Sequence, residues 1–330
     1  QTSGGSYGLG KAVYWRFSAV NTVLFNSTVL PNEGCDGKTH NRLFGISQGS
    51  VHRVGGHRLQ GRGSFGVESG DHTVSCFSDE QTVEALSLAR PKNTTGTTAL
   101  IIGFRNPDEV QTVDELVDGL GVAIQRNFWP LIARDQVAFR VEVEHNGQLQ
   151  ESKLITPDGP SAELALALRK FDRGDLQATL ESPGDTVTKP ILLKVPRRKS
   201  DSPHDAFDYE AQLVVTLTNG DPRENRVELF RGPQMIVETI PIRNIAQSFR
   251  AFVAAGRGRV LLEPSEADSR ADDFLRRAEP PSHDKWIPGS APQTSLAAHY
   301  VGAYSRNLKE FGTSIVDAIR SIFDAPSPPD

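Results

Sequence analysis

The run Gly5-Ser6-Tyr7-Gly8-Leu9-Gly10-Lys11 constrains this chain more than any other stretch. Three glycines around one aromatic residue let bare backbone approach a ligand, because glycine lacks the Cβ that would block it. The residues that follow, Lys11 to Ala19, read as a short helix, and Asn21 to Val29 as a strand. A helix opening straight after glycines aims unpaired N–H groups and its positive dipole end at whatever the loop encloses. Lys11 adds a point charge. Loop, helix start and lysine together describe a cradle for phosphate.

Downstream, the chain is punctuated as a mixture of strands and helices. Leu43-Phe44-Gly45-Ile46 and Ser64-Phe65-Gly66-Val67 are short apolar pieces separated by Gly55-Gly56 and Gly61-Arg62-Gly63, a hairpin pattern. Gln81–Leu88 reads as a short helix and Thr97–Phe104 as a buried strand. Val113, Leu116, Val117, Leu120 and Ile124 follow helical spacing over 112–128. Residues 137–144 alternate apolar and polar, Asn146-Gly147 is a two-residue hairpin signal, and 148–155 is expected to pair back. Helices are expected at 162–171, 266–278 and 305–323, and strands at 189–195, 209–217, 226–230 and 235–242. For the strand-rich part, a plain β-sandwich is the baseline expectation.

Two known phosphate cradles compete for the glycine run. A Walker loop needs G-x-x-x-x-G-K-[ST]; Gly5 to Lys11 supplies the first seven positions, but Ala12 lacks the hydroxyl that ligates magnesium. The second is the lid-closing glycine motif of the GHKL superfamily (gyrase, heat-shock chaperones, histidine kinases, MutL). Gly5-Ser6-Tyr7-Gly8-Leu9-Gly10, then a helix, then a strand, resembles the G-x-F-G-x-G order of the ninety-kilodalton heat-shock chaperones. Gly96-Thr97-Thr98-Ala99-Leu100-Ile101-Ile102 is similar to the family's Gly-Thr strand beside the adenine. The helix to Phe128, an aromatic turn at Trp129-Pro130 and the strand 137–144 look like the elements that follow it. The Microrchidia ATPases have a similar glycine loop with a lysine close behind.

The resemblance covers roughly residues 1–145 and implies an ATP-gated conformational switch with slow ATP hydrolysis. It implies that Gly8, Leu9 and Gly10 offer backbone amides to the phosphates, with Gly5, Ser6 and Tyr7 completing the lid. Lys11 pairs with the terminal phosphate, and Thr97 hydrogen-bonds near the adenine through water. ATP and magnesium are the implied cofactors. The helix whose asparagine holds magnesium, and the D-x-G-x-G loop whose aspartate binds adenine, have no equivalent in the sequence. The family places both upstream, so the chain reads as a fragment with most of its ATP pocket before Gln1.

The expected fold class is α+β: the C-terminal part of a GHKL-type α/β sandwich over 1–110, a transducer-like, β-rich middle domain over 111–260, and a helical region over 261–330 with a disordered tail. A non-enzymatic β-rich interaction module and a P-loop NTPase are the alternatives. A protein partner or a second copy of the chain suits a switch of this kind. With Lys+Arg 36 against Asp+Glu 41, the net charge of −5 gives no global footprint for nucleic acid, but leaves a local basic patch open. No apolar run long enough to span a membrane is present. Cys35 and Cys76 form no disulfide framework or metal pair and read as reduced thiols in a cytoplasmic protein.

Weaker constellations read more plainly. Asp268, Asp272, Asp273, Glu279, His283 and Asp284 offer metal-type ligands, yet an acidic, solvated helix flank is the simpler expectation. His52 and His57 beside Gly55-Gly56 suggest a hairpin with exposed histidines, and Arg197-Arg198-Lys199 a solvated loop.

Overall fold

The structure, a computed structural model, describes residues 10–30, 41–91, 94–105, 112–199, 205–289 and 294–324, with the backbone alone for residues 10–12 and 160. Of the sequence expectations, Gly5 to Leu9, Cys35 and the tail 325–330 lie outside the described residues. The protein is α+β, with mostly antiparallel sheets, and divides into two compact units within Tyr7–Gln111 and Thr112–Asp330.

The first unit begins with α1 (Gly10–Arg16), β1 (Ser18–Thr28) and β2 (Asn41–Gln48). Short strands follow: β3 (His52–Val54), β4 (His57–Leu59), β5 (Arg62–Phe65), β6 (Val67–Ser69), β7 (His72–Val74) and β8 (Cys76–Phe77). It closes with α2 (Glu80–Ala85) and β9 (Gly96–Phe104). The sheet runs β5-β2-β1-β9, with β8 also on β2, and every pairing is antiparallel. The two-residue period of β1 sorts its side chains between faces. Leu24 packs with Leu43, Val83 and Leu88 against α2, whose first turn is capped by Asp79. Gly55 and Gly56, both at positive φ, turn β3 into β4 as the sequence suggests.

The second unit contains α3 (Val113–Ala133), the hairpin β10 (Phe139–His145) and β11 (Gln148–Ile155), and α4 (Ala162–Arg173). Then come β12 (Thr186–Val195), β13 (Phe207–Leu217), β14 (Arg226–Phe230), β15 (Ile236–Pro241) and β16 (Phe249–Ala254). The chain continues into α5 (Glu266–Ala278), α6 (Leu296–His299) and α7 (Tyr304–Phe323). Thr112 and Glu115 form the capping box that starts α3. Asn146 and Gly147 take the positive φ that joins β10 to β11.

Two expectations fail in this unit. The strands form one sheet, β12-β13-β16-β14-β15, instead of two packed β layers. Helices cover both of its faces. Leu213 and Val215 point toward α5 and α7, while Val214, Phe230 and Phe252 meet α3 and α4. Trp129-Pro130 lie inside α3, not in a turn. Proline removes a helical hydrogen bond, but Trp129 anchors the helix there: it is fully buried, edge-on to Phe230, and its Nε1 donates to Glu228 at 2.7 Å.

In α7, Leu308, Phe311, Ile315 and Ile319 face the core as the sequence stripe requires. Gly312 lies in the middle of the helix, and a Cβ there would meet nothing within 4 Å. Replacing a mid-helix glycine with alanine removes backbone freedom from the unfolded chain. Gly312→Ala should raise the unfolding free energy by about 0.5–1 kcal/mol in urea titration; a decrease would show that the glycine meets a packing need.

Candidate functional site

The sequence-predicted site falls in the first unit. Gly10 and Lys11 are the first residues of α1, which is seven residues long. Tyr14 meets the Phe25 ring edge-on at 5.5 Å, and Trp15 donates from Nε1 to the carbonyl of Ile46 at 3.2 Å. Beyond the end of α1, Phe17 stacks on Phe104 at 5.7 Å. Phe104 pairs with Ser18 at the start of β1, whereas Phe25 lies near its end. The helix therefore returns antiparallel over β1, its Gly10 end directed toward Thr28.

That end of the sheet holds Thr97. The register pairs Phe25 with Ala99 and Ser27 with Thr97, and directly paired residues point to the same face. Thr97 thus shares the face that α1 crosses. It is exposed, and its Oγ1 lies 3.2 Å from Ser27 Oγ, either atom being able to donate. Each hydroxyl keeps capacity for one further polar group. Ser27 was not anticipated from sequence; the cross-strand register alone reveals it. On the opposite face, fully buried Asn26 donates from Nδ2 to the Leu88 carbonyl at 3.1 Å, while its Oδ1 has no partner among the described residues.

The acidic segment of the second unit is not a solvated flank. Asp268, capping α5 with Ser265, accepts from Arg259 Nε and Tyr209 Oη at 2.8 Å each and from Ser265 Oγ at 2.6 Å. Glu279 receives Arg231 through Nε at 2.5 Å and a second nitrogen at 2.8 Å, with His283 Nδ1 at 2.7 Å. Asp272 accepts from the Gly232 N–H at 2.6 Å, and Asp273 from Tyr300 Oη at 2.8 Å and Arg277 Nε at 3.0 Å. Only Asp284 remains exposed, held by Ser282. Among the described residues, no group of three or more His, Cys, Asp or Glu could hold a metal ion.

Arginines, not a cation, therefore satisfy these carboxylates. Burial would raise the Asp268 carboxyl, but the Arg259 guanidinium and the Ser265 and Tyr209 hydroxyls outweigh it and hold the group at about 2. Burial pushes the Tyr209 and Tyr300 hydroxyls up, and it raises Asp272 despite Arg231. The Arg197-Arg198-Lys199 segment is also tied down. Arg198 bridges to Tyr300, and Lys199 Nζ donates to the Ala297 carbonyl at 2.7 Å.

Elsewhere in this unit, α7, Glu238 and Trp286 line an open groove of about 640 Å³. It contains none of the predicted site residues. Cys76 is a free thiol. No helix among the described residues is long and apolar enough to cross a membrane. No protein-family model and no curated protein sequence matches the chain.

Two outcomes follow from the buried charges. Glu279→Gln takes the bidentate carboxylate from buried Arg231 and leaves it Asp272 Oδ2 at 3.4 Å. The loss should stay below the cost of a fully unpaired buried charge, about 3–5 kcal/mol, and be readable as a lower urea midpoint. Asp268 has a depressed carboxyl pKa, so its stabilisation is full above the ordinary carboxylate range and is lost as pH falls from about 4 to about 2. Urea titrations of Asp268→Asn should show lower stability at neutral pH and a shallower loss through that window. An unchanged acid slope would contradict the assignment.

Proposed function

We propose that the chain carries the phosphate lid and the base-side wall of a GHKL-type ATP site, in a protein that works as an ATP-gated conformational switch. The observation that carries this reading is the shared face. Thr97, exposed and paired with Ser27, lies on the side of the sheet over which α1 returns with its Gly10 end leading. An adenine-side hydroxyl and a glycine lid must meet one ligand, and this arrangement allows it. The spare hydrogen-bonding capacity of Thr97 and Ser27 fits a purine nitrogen or its bound water.

In this reading the amides of Gly8, Leu9 and Gly10 bind the phosphates, Lys11 pairs with the terminal phosphate, and Tyr7 anchors the lid among Gly5 and Ser6. Because α1 is only seven residues long, backbone amides and the lysine supply the binding, with little help from a helix dipole. Bound magnesium ATP supplies the negative charge that orders the lid; the magnesium-binding asparagine, the adenine-binding aspartate and the water-activating acid belong to the upstream part of the family pattern. A P-loop calls for a parallel sheet, whereas β1 pairs antiparallel with both β2 and β9. The interaction-module alternative draws its support from the large second unit, which lies outside most of the resemblance.

The test is calorimetric titration of ATP into the full-length protein. Losing charged and backbone contacts to phosphate should weaken binding about tenfold or more in a Gly8→Ala/Gly10→Ala/Lys11→Ala variant. Equal affinities would remove the proposal.

A further inference from the structure

The β3–β4 ribbon stands clear of the sheet that it interrupts. It leaves the sheet between β2 and β5 through a narrow neck, where Gly49 N–H donates to the Gly61 carbonyl at 2.7 Å. Beyond the neck, every residue from Val51 to Gln60 is exposed, on both faces of the ribbon. A two-stranded hairpin that packs on nothing is marginally stable in water. Its own register makes matters worse, because Arg53 lies directly opposite Arg58. Like charges so placed repel, and neither arginine has an ion-pair partner among the described residues.

The local charge is as one-sided as the geometry. From Asn41 to Val67 the sequence has no Asp or Glu, while Arg42, Arg53, Arg58 and Arg62 fall within it, in a chain whose net charge is −5. His52 and His57 flank the glycine tip. The neighbouring ribbon, β6–β7, has a similar exposed build but carries Glu68 and Asp71 and no Lys or Arg. Exposure alone therefore does not account for the arginines.

We propose that the β3–β4 ribbon is a binding element for duplex DNA, with Arg53 and Arg58 contacting backbone phosphates from within the major groove. An opposed arginine pair is relieved when each side chain faces a phosphate. Three-residue strands extend about 10 Å, against a groove about 8.5 Å deep and about 12 Å wide that admits a two-stranded ribbon. The Gly55-Gly56 tip carries no side chains to obstruct entry, and a Cβ at either would meet nothing within 4 Å. Double-stranded RNA has a major groove too narrow for such entry. This inference stands apart from the nucleotide reading and uses none of its residues.

The test is fluorescence anisotropy of the whole chain with a labelled duplex of about 20 base pairs, from about 50 to 200 mM salt. The parent should bind, and log K should fall linearly with log salt. Arg53→Ala/Arg58→Ala should weaken binding about tenfold or more and reduce the slope by about 1.8, the share of two phosphate contacts. Arg53→Lys/Arg58→Lys should keep the slope, since the charges remain. All four changes are on exposed positions, so melting temperatures should match the parent. Absence of duplex binding, equal binding by the alanine pair, or equal or tighter binding of phosphatidylserine vesicles or double-stranded RNA by the parent would each overturn the proposal.

Discussion

Antiparallel pairing of β1 on both of its edges organises the first unit. One edge takes β2, and with it the neck from which the β3–β4 ribbon leaves. The other takes β9 and fixes Thr97 beside Ser27. Because side chains alternate, one register decides which residues meet α1 and which meet α2. A one-residue slip of β9 against β1 would send Thr97 to the α2 face. The hydrophobic sorting of Val23 and Leu24, both buried on opposite faces, opposes such a slip. The same pairing that builds the core thus sets Ser27 and Thr97 side by side on the face that α1 crosses.

The second unit shows a different use of charge. Carboxylates of α5 and the segment after it reach inward to Arg231 and Arg259 at the sheet. Each ion pays a desolvation cost, so such pairs contribute less to net stability than to choosing one arrangement. Bidentate contact of Arg231 with Glu279 and the two hydroxyls on Asp268 satisfy most of the exposed lone pairs that would otherwise raise that cost. These carboxylates therefore clamp α5 against Arg231 and Arg259.

Much of the local structure was legible in the sequence. Helical spacing marked α3 and α7, and helices were expected where α4 and α5 lie; alternation and Asn146-Gly147 marked the β10–β11 hairpin; Gly55-Gly56 marked the ribbon. The central strand β16 was not legible, because Phe249 to Ala254 are buried on both faces and show no alternation. Its Arg250 is buried and paired with Glu224 at 2.8 Å. The Trp129-Pro130 pair was expected as a turn from the resemblance alone; with its indole buried, it lies inside α3. The acidic cluster misled for another reason. Sequence composition cannot show that arginines distant in the chain converge on it. Of the candidate site, the order of elements was readable, whereas the Ser27–Thr97 pair required the register.

The central claim is that one ligand touches both the start of α1 and the Thr97 end of β9. Photolabelling and acylation by ATP-derived probes would test this directly in the full-length protein. A base-substituted azido-ATP should label the segment around Thr97, and an acyl-phosphate ATP should acylate Lys11, with both products suppressed by excess ATP and located by peptide mass spectrometry. Labelling that falls on other segments, or that excess ATP fails to suppress, would contradict the account.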